Sequence, residues 1–151
     1  MPDHMSLSAK EIVDRLGLSP HPEGGWYRQT WAAAPPPEAP DARPAGTAIY
    51  YLLAEGQKSH WHRVDSTEIW HFYAGAPLDL RMARTAAGPA ELVRLGPNLS
   101  AGEVPQAIVP AGHWQAARST GAWSLVGCTV SPGFRFDGFE LAPPDFAIPD
   151  G

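Results

Sequence analysis

From Gly56 onward a turn signal recurs about every ten residues, and this spacing limits the fold more than any other feature of the chain. The signals are Gly56, Gly75-Ala76-Pro77, Gly88-Pro89, Gly96-Pro97-Asn98, Gly102, Gly112, Gly121 and Pro132-Gly133. Glycine supplies backbone angles that other residues avoid, and proline removes a donor, so each cluster ends a strand. Between them lie short runs rich in β-branched and aromatic residues. They read as strands at Thr47–Ala54, Lys58–Val64, Glu68–Ala74, Leu78–Ala83, Glu91–Leu95, Gln106–Pro110, His113–Ser119, Trp123–Val130 and Phe139–Leu141. An aromatic strand, Trp26–Trp31, precedes them. Helices do not alternate with these strands, which excludes a doubly wound parallel sheet. The pattern predicts an all-β sandwich or jelly-roll barrel.

One helix is expected, over about Ala9–Leu16. Ser8-Ala9-Lys10-Glu11 has the form of a capping box, Leu7 and Ile12 stand where a hydrophobic staple needs them, and Gly17 ends the run. The stretch 32–45 carries five prolines and reads as an exposed, mobile loop. The 151 residues fit one domain, taken as 1–151. Apolar residues are 44% of the chain, enough for a packed core.

Charge narrows the function. The net charge is −5 with no basic run in the sequence, which argues against nucleic acid and anionic membrane as partners. The longest apolar runs are far too short to span a bilayer, and Met1–Ser6 lacks the features of a secretory signal. With a single cysteine, Cys128, no internal disulfide forms. These features predict a cytoplasmic protein. Cys128 itself sits in an apolar strand and reads as a buried, inert thiol.

The densest polar cluster is Ser59–Glu68, followed by Ile69-Trp70-His71. On a strand, residues i and i+2 share a face, so His60 and His62 are expected to point together. Glu68 follows a short turn and returns to the same layer. Two imidazoles and a carboxylate in a barrel interior would hold a divalent metal such as Zn, Ni, Fe or Mn with positions open for a ligand. The competing reading is a set of edge-strand residues facing water. Glu23-Gly24-Gly25-Trp26-Tyr27-Arg28 offers a second candidate. There Arg28 would clamp an anionic group, or Glu23 would pair with an arginine. The six tryptophans, Trp70 among them, either stack a ligand or fill core and interface.

These residues carry a family resemblance. His60-x-His62, Glu68 and Gly75 follow the first cupin motif, and Pro110-x-Gly112-x-x-Gln115 follows the middle of the second. His21-Pro-Glu-Gly-Gly, Ile49-Tyr-Tyr-Leu-Leu, Glu68-Ile-Trp-His-Phe-Tyr and Leu125-Val-Gly-Cys-Thr-Val-Ser-Pro-Gly-Phe resemble the Cupin_5 (DUF985) subgroup over about Leu16 to Leu141. The resemblance implies a double-stranded β-helix. It also implies a metal set of His60, His62, Glu68 and Gln115, with Gln115 where a third histidine usually stands. Likeness to cupin sugar-nucleotide epimerases implies a metal-free alternative. In it His62 is the base, Tyr51 or Tyr73 is the acid, Glu68 assists, and Glu23, Arg28, Trp70 and Gln115 bind substrate. The same tyrosines would otherwise pack in the core. The expected activities are therefore an epimerase or isomerase acting on a small metabolite, a metal-dependent lyase or oxygenase, or a barrel that binds a ligand without turnover. Exposed strand edges and the aromatic excess predict a homodimer.

Overall fold

The computed structural model describes residues 7–151, so the reading of Met1–Ser6 lies outside the described residues. Ser8 caps the helix α1 (Ala9–Leu16): its side chain accepts from the Glu11 backbone, and Glu11 reaches back to the Ser8 N–H. Gly17 closes the helix in the left-handed region at φ 67°. The buried face of α1, centred on Ile12, packs with Leu18, Leu52 and Trp123 on the outside of a sheet.

The strands are β1 (Ser19–Pro20), β2 (Trp26–Ala32), β3 (Thr47–Ala54), β4 (Lys58–Val64), β5 (Thr67–Gly75), β6 (Leu78–Ala83), β7 (Glu91–Leu95), β8 (Gln106–Val109), β9 (Trp114–Ser119), β10 (Trp123–Ser131) and β11 (Phe139–Leu141). They form two antiparallel sheets, β1-β2-β3-β10-β5-β8 and β11-β4-β9-β6-β7. Every strand expected from the sequence is present, and the two-residue β1 is added. Its proline needs no ladder donor at the sheet edge.

The core lies between the sheets. Tyr51, Leu53, Trp70, Leu78, Leu80, Leu95, Val109 and Val126 fill it, each at most 1% exposed. Burying each large apolar side chain contributes about 1.5–3 kcal/mol. A smaller cluster of Trp61, Ala83, Trp114 and Ile148 packs where the C-terminal segment covers the outside of the second sheet. The stretch 33–46 has no helix or strand and is largely exposed, but Arg43 ties its end down. Its guanidinium grips Asp65 at 3.0 and 2.7 Å and the Gly133 carbonyl at 2.5 Å.

One irregularity reshapes the interior. The β4–β9 register slips between Ser59 and His62. Ser59, His62 and Val64 are buried toward the interior, whereas both His60 and Trp61 turn outward. A β-bulge inserts one residue and reverses the alternation beyond it. The expectation that His60 and His62 share a face is therefore overturned: uniform alternation does not hold across a bulge.

Candidate functional site

A cavity of about 160 Å³ opens between the sheets. β4 brings His62 to it, β5 brings Glu68, β10 brings Cys128, and the turn between β1 and β2 brings His21 and Glu23. Ile49, Val64 and Val130 supply apolar wall, and Phe134 and Phe136 stand among its lining aromatics. No lysine or arginine lines it among the described residues.

The tight 21–25 turn places Glu23. The His21 N–H donates to the Gly25 carbonyl, and the Gly24 N–H donates to the His21 carbonyl, each at 3.0 Å. Gly24 sits at φ 110°, where a side chain would run into the Lys58 carbonyl. The His60 N–H fixes this turn to the bulge by donating to the Glu23 carbonyl at 2.8 Å. The Glu23 carboxyl is buried and takes a hydrogen bond from Ser59, while the Tyr51 hydroxyl beside it donates to the Gly24 carbonyl at 2.5 Å. Burial outweighs these polar neighbours and pushes the Glu23 pKa up to about 7.

His62 has a fixed tautomer. Its Nδ1 lies 2.7 Å from the His60 carbonyl, which only accepts, so Nδ1 carries the proton. Nε2 is left as a lone pair 3.5 Å from Glu23 Oε2. Burial lowers the His62 pKa, although the Glu68 charge opposes the shift. His21 is held neutral in a similar way. Its Nδ1 accepts the Glu23 N–H at 3.1 Å, and burial followed by the nearby His62 lowers its pKa to about 4. The 3.3 Å approach of His21 to Glu23 Oε1 is thus not an ion pair at neutral pH.

Glu68 is buried, and its pKa is pushed up to about 7, chiefly by burial and further by the Glu23 charge. Gln115 donates to Glu68 Oε1 at 2.9 Å and accepts from the Trp70 indole at 2.8 Å. Cys128 lines the cavity with Glu68, and burial raises its thiol pKa.

The structure sorts the expected site residues by place. His62, Glu68 and Glu23 meet at the cavity. Gln115, Trp70 and Tyr51 stand behind it as buried supports. His60 lies on the outer face, with Nε2 2.8 Å from the Pro143 carbonyl. Tyr73 is about half exposed beside Tyr50, on the far side of its sheet from the cavity. Arg28 also faces away and donates to the Leu16 carbonyl at 3.1 Å. Neither Tyr73 nor Arg28 reaches the cavity, because alternation along β5 and β2 turns them outward. Among the described residues, Glu23 pairs with no arginine. Arg63 braces the outer wall through Glu140 at 2.8 Å and the Trp114 ring at 4.7 Å.

The set His60, His62, Glu68 and Gln115 does not fit a metal centre. His60 is on the wrong face, and both ends of the Gln115 amide are already engaged. Among the described residues, no group of three or more His, Cys, Asp or Glu side chains is arranged to hold an ion. Sequence reasoning missed His21 and Cys128 as cavity residues. The signal for His21 was its place two residues before Glu23 in a Gly-Gly turn.

Two antiparallel sheets enclosing a polar interior site define a cupin-type double-stranded β-helix. The Cupin superfamily (DUF985) profile matches residues 10–142, and the chain belongs to that family. Protein SO0799 from Shewanella oneidensis is 39% identical, covering 90% of this chain and 85% of that one, with a TM-score of 0.82. A hypothetical protein from Leishmania major is 33% identical, covering 90% and 88%, with a TM-score of 0.80. An oxalate decarboxylase from Bacillus subtilis is 11% identical, covering 81% of this chain and 29% of that one, with a TM-score of 0.60; it shares the fold. No curated protein matches the chain. Among the described residues, no helix is long and apolar enough to cross a membrane.

Proposed function

We propose that the barrel cavity binds a small uncharged hydroxy-carbonyl compound and moves a proton on the carbon beside the carbonyl. The observation that carries this reading is the His62 lone pair, fixed by the His60 carbonyl and set against a carboxyl titrating near neutrality. His62 Nε2 takes the carbon-bound proton. Glu68, held by Gln115, gives a proton to the carbonyl oxygen, and Glu23 stabilises the imidazolium that forms. An acid titrating near neutrality beside a base that burial keeps neutral suits this exchange. The cavity volume and the lack of a lining cation favour an uncharged ligand of few heavy atoms. Return of the proton to the same or the neighbouring carbon makes the reaction an epimerisation or isomerisation.

Incubation with glycolaldehyde, dihydroxyacetone and glyceraldehyde in D₂O, followed by NMR, tests the reading. Deuterium should enter beside the carbonyl, and His62→Gln should slow this by about 10²-fold or more. Binding without exchange would leave a ligand-binding barrel in place of an enzyme. Equal exchange in the variant would remove His62 from the chemistry.

A further inference from the structure

A second cleft, of about 380 Å³, lies on the outside of the β4-β9-β6 sheet, where the C-terminal segment crosses it. It gathers Lys58, Arg81 and Arg118 in a chain whose net charge is −5. Lys58 and Arg118 are directly opposed across the β4–β9 ladder. Like charges in that position destabilise a sheet unless something neutralises them. The neighbouring carboxylates are committed elsewhere. Asp79, next to Arg118 across the β6–β9 ladder, is held by Arg94 at 2.8 and 3.4 Å. Asp150 takes the Arg81 Nε–H at 3.1 Å. The Lys58 ammonium and the Arg118 guanidinium have no hydrogen-bond or ion-pair partner among the described residues. Phe146, stacked on Trp114 at 4.9 Å, gives the cleft an aromatic wall.

The geometry points to an anion site on this outer face that takes a small organic phosphate. The phosphoryl group would bridge Lys58 and Arg118, and the organic part would lie against Phe146. A dianion meets the two unpaired cations, and guanidinium suits phosphate oxygens through its paired donors. The cleft is concave and large enough for a small molecule, which favours this ligand over a flat protein contact. The site shares no charged group with the barrel cavity, so it stands or falls separately from the function proposed above.

Phenyl phosphate and inorganic phosphate, titrated into the full ¹⁵N-labelled chain at constant ionic strength, provide the test. Saturable shifts should appear along β4, β6 and β9, with phenyl phosphate the tighter binder. Lys58→Gln with Arg118→Gln should weaken binding by about tenfold or more, the scale of a lost charge-assisted contact, and Lys58→Arg should retain it. Both positions are exposed, and an unchanged amide spectrum confirms that the variants fold. Shifts that do not saturate, or that persist in the double variant, would overturn the proposal. So would absence of phosphate binding together with a change in light-scattering mass in the double variant, because the cations would then face a second copy of the chain.

Discussion

Gln115 stands at the centre of the polar network because both ends of its amide are used. Its nitrogen serves Glu68 and its oxygen serves Trp70. Gln115→Leu would leave a buried carboxyl and a buried indole N–H each short of a partner. The expected destabilisation is about 1–3 kcal/mol per group, read as a lower urea midpoint. The Glu68 pKa should rise further, because the lost bond favours the ionised form. Glu68→Gln should act on His62. Removing a charge that raises the His62 pKa should lower it further, as followed by ¹H–¹⁵N NMR of the ring. No change would mean the two groups do not share a dry cavity. At this scale the sequence was partly legible. His62 and Glu68 stood out because imidazole and carboxylate at strand spacing have few structural uses. Gln115 was found through its place in a motif, and its support role only through its partners. Cys128 looked like one more apolar strand residue, since no periodicity tells a thiol facing a carboxyl from one facing leucine.

Strands were the most legible level, because glycine and proline mark their ends chemically. The bulge was not legible. Lys58–Val64 reads as regular alternation, and only pairing with β9 shows that His60 and Trp61 both turn outward. That one insertion removes His60 from the cavity, and the His60 carbonyl fixes the His62 tautomer. The same strand receives the β1–β2 turn. Gly24 is required there: at φ 110° a Cβ would lie 2.1 Å from the Lys58 carbonyl oxygen. Gly24→Ala must both strain the backbone and push the turn off β4. A cost of about 1–3 kcal/mol is expected for the strained conformation alone. Urea unfolding should show the loss. The Glu23 carboxyl should also leave the cavity, detected as a changed His62 titration. A variant as stable as the parent would mean the turn moves without resistance and does not position Glu23.

For the whole molecule, the cavity sets how stability depends on pH. Glu23 and Glu68 have folded pKa values near 7, against an ordinary value of 4.5. Between those values the folded chain binds more protons than the unfolded one, so these groups make stability fall as pH rises. His21 works in the other direction. Its pKa drops from 6.5 to about 4, so the unfolded chain binds more protons in that window and stability rises with pH. The lowered His62 adds to the same side. From about pH 4.5 to 6.5 the histidines oppose the carboxyls and flatten the slope. Above 6.5 the unfolded-state histidines lose their remaining protons and cease to oppose the carboxyls, which still titrate. Stability should therefore drop as pH passes from about 6.5 through 7 and level off beyond it. Asp65, drawn down by Arg43, adds a separate loss at the acid end, as pH falls below its ordinary value of 3.8. Urea unfolding at half-unit steps from pH 5 to 8.5 measures the curve. Glu23→Gln with Glu68→Gln should abolish the drop above 6.5 and leave the rising histidine limb exposed below it. A wild-type curve that climbs from pH 6.5 to 8 would mean both carboxyls ionise freely in the folded chain. The cavity would then be wet, and neither carboxyl could serve as an acid at neutral pH.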